Sequence, residues 1–132
     1  MPTTADRPST VPARAGAVAA AVAAALAVWV VVVPVLGVDL AAAPGGGPVQ
    51  RVGPIAVAVG PLVAGLCGWA LLALLERRTA RPRRTWTITA LVVLVLSLVT
   101  PISGGVGPAS TATLLTMHLV VGAVLIALLP RR

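Results

Sequence analysis

Residues 15–36 read AGAVAAAVAAALAVWVVVVPVL, 22 positions without a charge. A helix rises about 1.5 Å per residue and the hydrocarbon core of a bilayer is about 30 Å thick, so about 20 apolar residues cross it. This stretch is long enough to do so with a slight tilt. Three further stretches share its character, residues 52–75, 86–102 and 111–129. The third is the weakest of them, because Thr85, Thr87 and Thr89 stand at its opening and Pro101 at its close. The chain as a whole has 132 residues, 58% of them hydrophobic, and a mean hydropathy of +1.04, far above a soluble domain. Between four spans only short connections remain. The pattern therefore predicts an all-α transmembrane four-helix bundle of up-down-up-down topology. Residues 1–13, with three prolines and several hydroxyl residues, read as a disordered tail, and residues 14–132 as a single membrane domain.

The charges lie almost wholly in the connections. There are ten arginines and no lysine. Arg7 and Arg14 flank the first span, Arg77, Arg78, Arg81, Arg83 and Arg84 lie between the second and third, and Arg131 and Arg132 follow the fourth. Arg51 alone falls in the opposite compartment, which also holds Asp39. The excess of basic residues on one side predicts that both termini and the middle loop are cytoplasmic. Use of arginine with abundant Ala, Val, Gly and Pro is the composition of a GC-rich bacterial genome, and the expected location is the bacterial cytoplasmic membrane. A net charge of +7 would raise nucleic acid as a partner for a soluble chain. Here orientation accounts for the charge, and the middle loop has no base-stacking aromatic other than Trp86, so no nucleic-acid partner is expected. Trp86 reads as an interfacial anchor. The five loop arginines are expected to contact anionic lipid headgroups, each worth about 1 kcal/mol near the surface.

The first span is read as a span and not as a cleaved leader. Its 22 apolar positions exceed the roughly 7–15 of a signal peptide, and Pro44 would follow a cut after Ala41-Ala42-Ala43. Cys67 is the only cysteine, so no internal disulfide forms. Gly45-Gly46-Gly47 lacks the Lys-Ser/Thr of a phosphate loop and reads as a flexible turn. No nucleophile–base pair and no metal-ligand set is evident, so the chain is not expected to be an enzyme or to hold a cofactor or metal.

Two features bear on packing and ligands. Ala56, Gly60, Ala64 and Gly68 recur at four-residue spacing on the second span, as do Ala13, Ala17, Ala21 and Ala25 on the first. Water does not drive helices together in lipid, so such small-residue ridges are where backbones approach, here joining spans one and two as a hairpin. The same ridges could pair two copies of the chain or hold an unidentified membrane partner. His118 is the one ionisable side chain deep in a span, and such a residue calls for a partner. Counting from the outer face places Trp29 and Pro61 near its level. Pro61 leaves the Val57 carbonyl free, so the imidazole is expected to donate to Val57 or to the Ser97 hydroxyl, with Trp29 packed alongside. His118, Trp29, Pro61 and Ser97 are thus the candidate ligand or proton site. The competing reading makes His118 a neutral, hydrogen-bonded core residue. It is favoured by the lack of Asp or Glu within the expected spans. The span hydroxyls Thr87, Thr89, Ser97, Thr113 and Thr116 are expected mostly to bond their own helices.

The order of several short motifs completes the picture: Pro34-Val35-Leu36-Gly37-Val38-Asp39 after a Trp29-bearing span, then Gly68-Trp69-Ala70-Leu71-Leu72 and Leu75-Glu76-Arg77-Arg78, then Trp86 and Met117-His118-Leu119. In these the chain resembles the actinobacterial four-helix membrane proteins of a family of unknown function, DUF6069, over about residues 15–129. That resemblance implies a four-span inner-membrane protein and carries no activity or site residues with it. Small multidrug transporters share the size, but depend on a glutamate in the first span that this chain lacks. The expected function is therefore that of a structural or accessory membrane component. The alternative is a small transporter or ligand-binding protein built around His118.

Overall fold

A proline in the first turn of a helix costs no hydrogen bond, because that N–H has no partner inside the helix. The computed structural model, which describes residues 9–131, starts each of its five α-helices this way. Pro12 stands in the first turn of α1 (Val11–Val30) and Pro54 opens α2 (Pro54–Arg78). Pro82 opens α3 (Pro82–Ser97), Pro101 lies in the first turn of α4 (Val99–Gly104), and Pro108 in that of α5 (Gly107–Leu128).

These starts move the boundaries expected from hydropathy. The first helix takes in residues 11–13, expected as tail, whereas residues 1–8 of that tail lie outside the described residues. The third helix begins at Pro82 instead of residue 86 and includes Arg83 and Arg84. It does not stop at Pro101. At Leu98 the chain bends, its amide shared between Leu94 O at 3.2 Å and Val95 O at 3.3 Å, and a new helix begins in which Pro101 needs no N–H. Among the described residues, four helical stretches are long and apolar enough to cross a membrane: Val11–Val35, Pro54–Arg78, Pro82–Gly104 and Gly107–Leu128. The first includes a wider π turn, Val31–Val35. Pro34 cannot donate to the Val30 carbonyl, and the turn closes instead from Leu36 N–H to Val31 O at 3.0 Å.

Helix α1 is the centre of the packing. It lies against both α2 and α5, while α3 leans on the same two helices and α2 and α5 scarcely touch. Ala17, Ala21 and Ala25 of α1 are buried, which lets neighbouring backbones come close. A close approach from α2 is at Gly65, where a Cβ would stand 2.9 Å from both Val18 methyl carbons. Two apolar clusters result. One, toward the arginine-rich end, joins Ala17, Val18, Leu72, Trp86 and Leu129. The other, toward the opposite end, joins Ala25, Leu40, Val57 and Met117.

The Gly/Pro-rich connections, expected as flexible turns, form an ordered cap. Strand β1 (Ala41–Ala42) pairs antiparallel with β2 (Gln50–Arg51), and Ala42 bridges to Gly105. Ala43 N–H donates to Gly104 O at 2.7 Å, and Val106 N–H to Ala41 O at 3.1 Å, so the two connections share backbone hydrogen bonds. The buried Ser110 hydroxyl ties them to α5, donating to Asp39 O at 3.1 Å and accepting from Ala41 N–H at 3.2 Å. Gly45 and Gly46 have φ of 63° and 74°, the left-handed turn that explains the glycine run.

Candidate functional site

The loose seam of the bundle lies along α3. Near the arginine-rich end, α3 meets α2 where the Trp86 ring occupies the space that Gly68 leaves. A Cβ there would lie 2.9 Å from Trp86 Cη2. Further along, α3 meets α5 where Leu94 fills the space left by Gly122. Between these contacts α2, α3 and α5 enclose a groove of about 540 Å³, floored by Ala25 of α1. Gly60, Ala64 and Cys67 on one wall and Val93 on the other are exposed as well as groove-lining, so the groove opens sideways out of the bundle.

Three of the four candidate site residues, Pro61, Ser97 and His118, line this groove. The His118 bond is not the expected one, whereas Ser97 bonds its own helix as expected. His118 Nδ1 lies 2.7 Å from Leu114 O, one turn back on its own helix. A carbonyl only accepts, so Nδ1 carries the proton, and Nε2 makes no hydrogen bond among the described residues. The Ser97 hydroxyl donates to Leu94 O at 2.7 Å. Both side chains thus turn to carbonyls of their own helices. Trp29 is elsewhere: its indole N–H donates to Val52 O at 2.9 Å, and its ring packs on the cluster around Val57 and Met117.

The α2 ridge faces the groove along its whole length: Ala56, Gly60, Ala64 and Gly68 all line it, and a Cβ on Gly60 would meet nothing within 4 Å. Gly68, at the far end, reaches Trp86. The approach of α2 to α1 falls instead to Gly65, which no four-residue ridge marks.

Hydroxyls near the groove differ in one respect. Thr85 and Thr87 donate back to Arg81 O and Arg83 O, at 3.2 and 3.0 Å. Thr89, which lines the groove, makes no hydrogen bond among the described residues. The groove wall is therefore apolar apart from Cys67 and Ser97, with the Thr89 hydroxyl and His118 Nε2 uncommitted. Among the described residues no cluster of metal-ligating side chains occurs.

A second feature lies at the arginine-rich end. Arg14 is buried at 3% exposure, and its Nη2 lies 2.5 Å from Glu76 Oε1, pairing the first turn of α1 with the last turns of α2. Arg14 Nε and Trp86 Nε1 are buried without hydrogen-bond partners among the described residues. Trp86 is buried in the core, where the sequence suggested an interfacial anchor. Beside Glu76 a cleft of about 500 Å³ is lined by Ala80, Arg81, Pro82, Arg83 and Arg84. Arg77, Arg78, Arg81, Arg83 and Arg84 are all exposed. Sequence reading missed the Arg14–Glu76 pair because it ended the second span at residue 75 and placed Arg14 ahead of the first. The available signal was Pro12: a helix starting there puts Arg14 inside its first turn.

Among known proteins, a family model described as a family of unknown function, DUF6069, matches residues 5–132. No curated protein and no solved structure matches the chain.

Proposed function

The chain belongs to the DUF6069 family of unknown function, and from its geometry we propose that it is a non-enzymatic ligand-binding protein of the bacterial cytoplasmic membrane. In this reading the bundle runs up-down-up-down with both termini in the cytoplasm, and the groove beside His118 holds an apolar molecule. The distribution of arginines supports the orientation, since the basic cleft and the Arg131 end would then face the cytoplasm.

The groove carries this reading. Its volume of about 540 Å³ falls in the range of roughly 300–1,000 Å³ common for small-molecule sites, which are mostly apolar with a few polar groups. Thr89 and His118 supply those groups. The mouth between Gly60, Ala64 and Val93 would open into lipid, the phase from which an apolar molecule partitions. The Ser97 hydroxyl and His118 Nδ1 each bond a carbonyl of their own helix and not one another, which supports binding over catalysis.

Mass spectrometry of molecules extracted from purified protein tests the reading against a Gly60→Trp variant, whose indole fills the groove. Wild type is expected to retain an apolar species near one per chain and the variant to lose it. Equal retention by both would overturn the proposal. A second reading, a structural accessory component with a membrane partner or a second copy, is favoured by the His118–Leu114 bond, which fixes the imidazole to its own helix. Equal retention would leave that reading standing.

A further inference from the structure

The groove and the basic cleft lie in succession along one seam, the one between α2 and α3. The groove reaches Leu71 on α2 and Trp86 on α3, and the cleft begins at Glu76 and Arg84 on the same two helices. Five residues separate Leu71 from Glu76, about 7.5 Å of helix, and only two separate Trp86 from Arg84. In the other direction the groove extends from Leu71 back to Ala56, 15 residues or about 22 Å, beyond the middle of a 30 Å hydrocarbon core. We infer that the ligand is an anionic phospholipid of the surrounding leaflet. Its phosphate is held by Arg81, Arg83 and Arg84 and one acyl chain lies in the groove. This rests on the groove-binding reading and adds to it the chemical class of the occupant.

The charge argument is direct. Three guanidinium groups line the cleft, and each can bind a phosphate oxygen pair in a bidentate fork. The one acid there, Glu76, is already paired with Arg14, so the cleft keeps its positive character. Thr89 lies five residues beyond Arg84, about 7.5 Å deeper on α3. That is the depth at which the ester carbonyls follow a phosphate, and the Thr89 hydroxyl has no bond to give up. Below it the lining is Ala90, Val93 and Leu94, suited to hydrocarbon. Gly60, Ala64 and Cys67 leave the wall low enough for a chain to slide in from the side.

The test uses full-length protein incorporated into vesicles of equal phosphatidylglycerol and phosphatidylcholine, then extracted in mild detergent and weighed with its bound lipid by native mass spectrometry. Wild type is expected to carry one phosphatidylglycerol, preferred over phosphatidylcholine by about tenfold or more. A variant with Arg81→Gln, Arg83→Gln and Arg84→Gln should keep a bound lipid but lose the preference. Arg77→Gln with Arg78→Gln, equal in kind and outside the cleft lining, should retain it. Gly60→Trp should lose the lipid of either type. Glycerol 3-phosphate in excess should not displace the bound lipid. Circular dichroism and thermal unfolding confirm that each variant is folded.

Equal binding of the two lipids by wild type overturns the inference while leaving the groove reading intact. So does an equal loss of preference in the Arg77/Arg78 control, or displacement by glycerol 3-phosphate, which would make the ligand a soluble phosphate. Undiminished lipid on Gly60→Trp overturns the groove reading itself.

Discussion

Gly65 and Gly60 stand five residues apart on α2, about 140° around the helix, and do opposite things. At Gly65 the missing side chain admits Val18, so that α1 and α2 touch backbone to side chain with no space left. At Gly60 the missing side chain faces empty groove. In water the hydrophobic effect would close the second gap; in lipid it does not, because hydrocarbon outside the bundle is as comfortable as hydrocarbon within it. Only shape brings helices together there. The α1 side of α2 has that shape, and the α3 side has it only at Gly68, where Trp86 inserts. One helix thus carries a structural face and a face kept open.

The largest effect expected from this comparison is at the closed face. Gly65→Leu places a branched side chain where Val18 already stands, and Val18, branched at Cβ itself, has little freedom to move aside. Overpacking of this kind costs about 3 kcal/mol, and the variant should unfold at much lower temperature or lower SDS fraction than wild type. An unchanged midpoint would mean that α1 and α2 are not in contact there.

Next comes the polar lock at the end of that face. Glu76→Ala leaves Arg14, 3% exposed, with its guanidinium buried and its ion pair gone. Breaking a buried pair from one side typically costs about 3–5 kcal/mol. The Glu76 side chain is 27% exposed and lies near the helix end, so a loss nearer 2 kcal/mol is expected after solvent screening. The ion pair at the opposite end supplies the contrast: Asp39 and Arg51 are 82% and 84% exposed at 3.6 Å, and Asp39→Ala should shift the SDS midpoint by an amount close to the error of the measurement. Comparable losses in the two variants would remove the distinction between them.

How much of this could be read from the chain follows from which forces act locally. Apolar run length is a local property, and the four spans were legible within a few residues from it. Family membership was legible from short motifs of the Leu-Glu-Arg-Arg kind. Helix ends were less so: hydropathy undervalues Arg83 and Arg84, yet Pro82 starts a helix that includes them. Trp86 was misread because tryptophan near a basic loop resembles an anchor, whereas burial depended on Gly68 across the seam. The partner of His118 was sought across helices; it bonds a carbonyl of its own helix, as the Ser97 hydroxyl was expected to do, a short-range choice that counting depth could not reveal. The cap at the loop end depends on backbone hydrogen bonds between residues around 41–43 and 104–106, for which the sequence has no side-chain signal. The ridge on α2 was visible, but which way it faces was not.

The smallest expected effect is at the open face, and it is the most demanding test of the contrast. Gly60→Leu is the same substitution as at Gly65, on the same helix, in a similarly apolar setting. Nothing lies within 4 Å of the new Cβ, so no neighbour is displaced. Leucine is the better helix former by somewhat under 1 kcal/mol in water, and part of that preference carries over where α2 is already fixed by its other face. The unfolding midpoint should therefore stay within about 0.5 kcal/mol of wild type or rise slightly, while the groove narrows and bound lipid decreases. A destabilisation matching that of Gly65→Leu would mean that α3 closes on α2 at this level, that no groove persists in the bilayer, and that both faces of α2 are structural. A neutral midpoint with bound lipid unchanged would keep the contrast in packing but remove its connection to ligand. Only stability preserved together with lipid lost fits a face that is held open for an occupant.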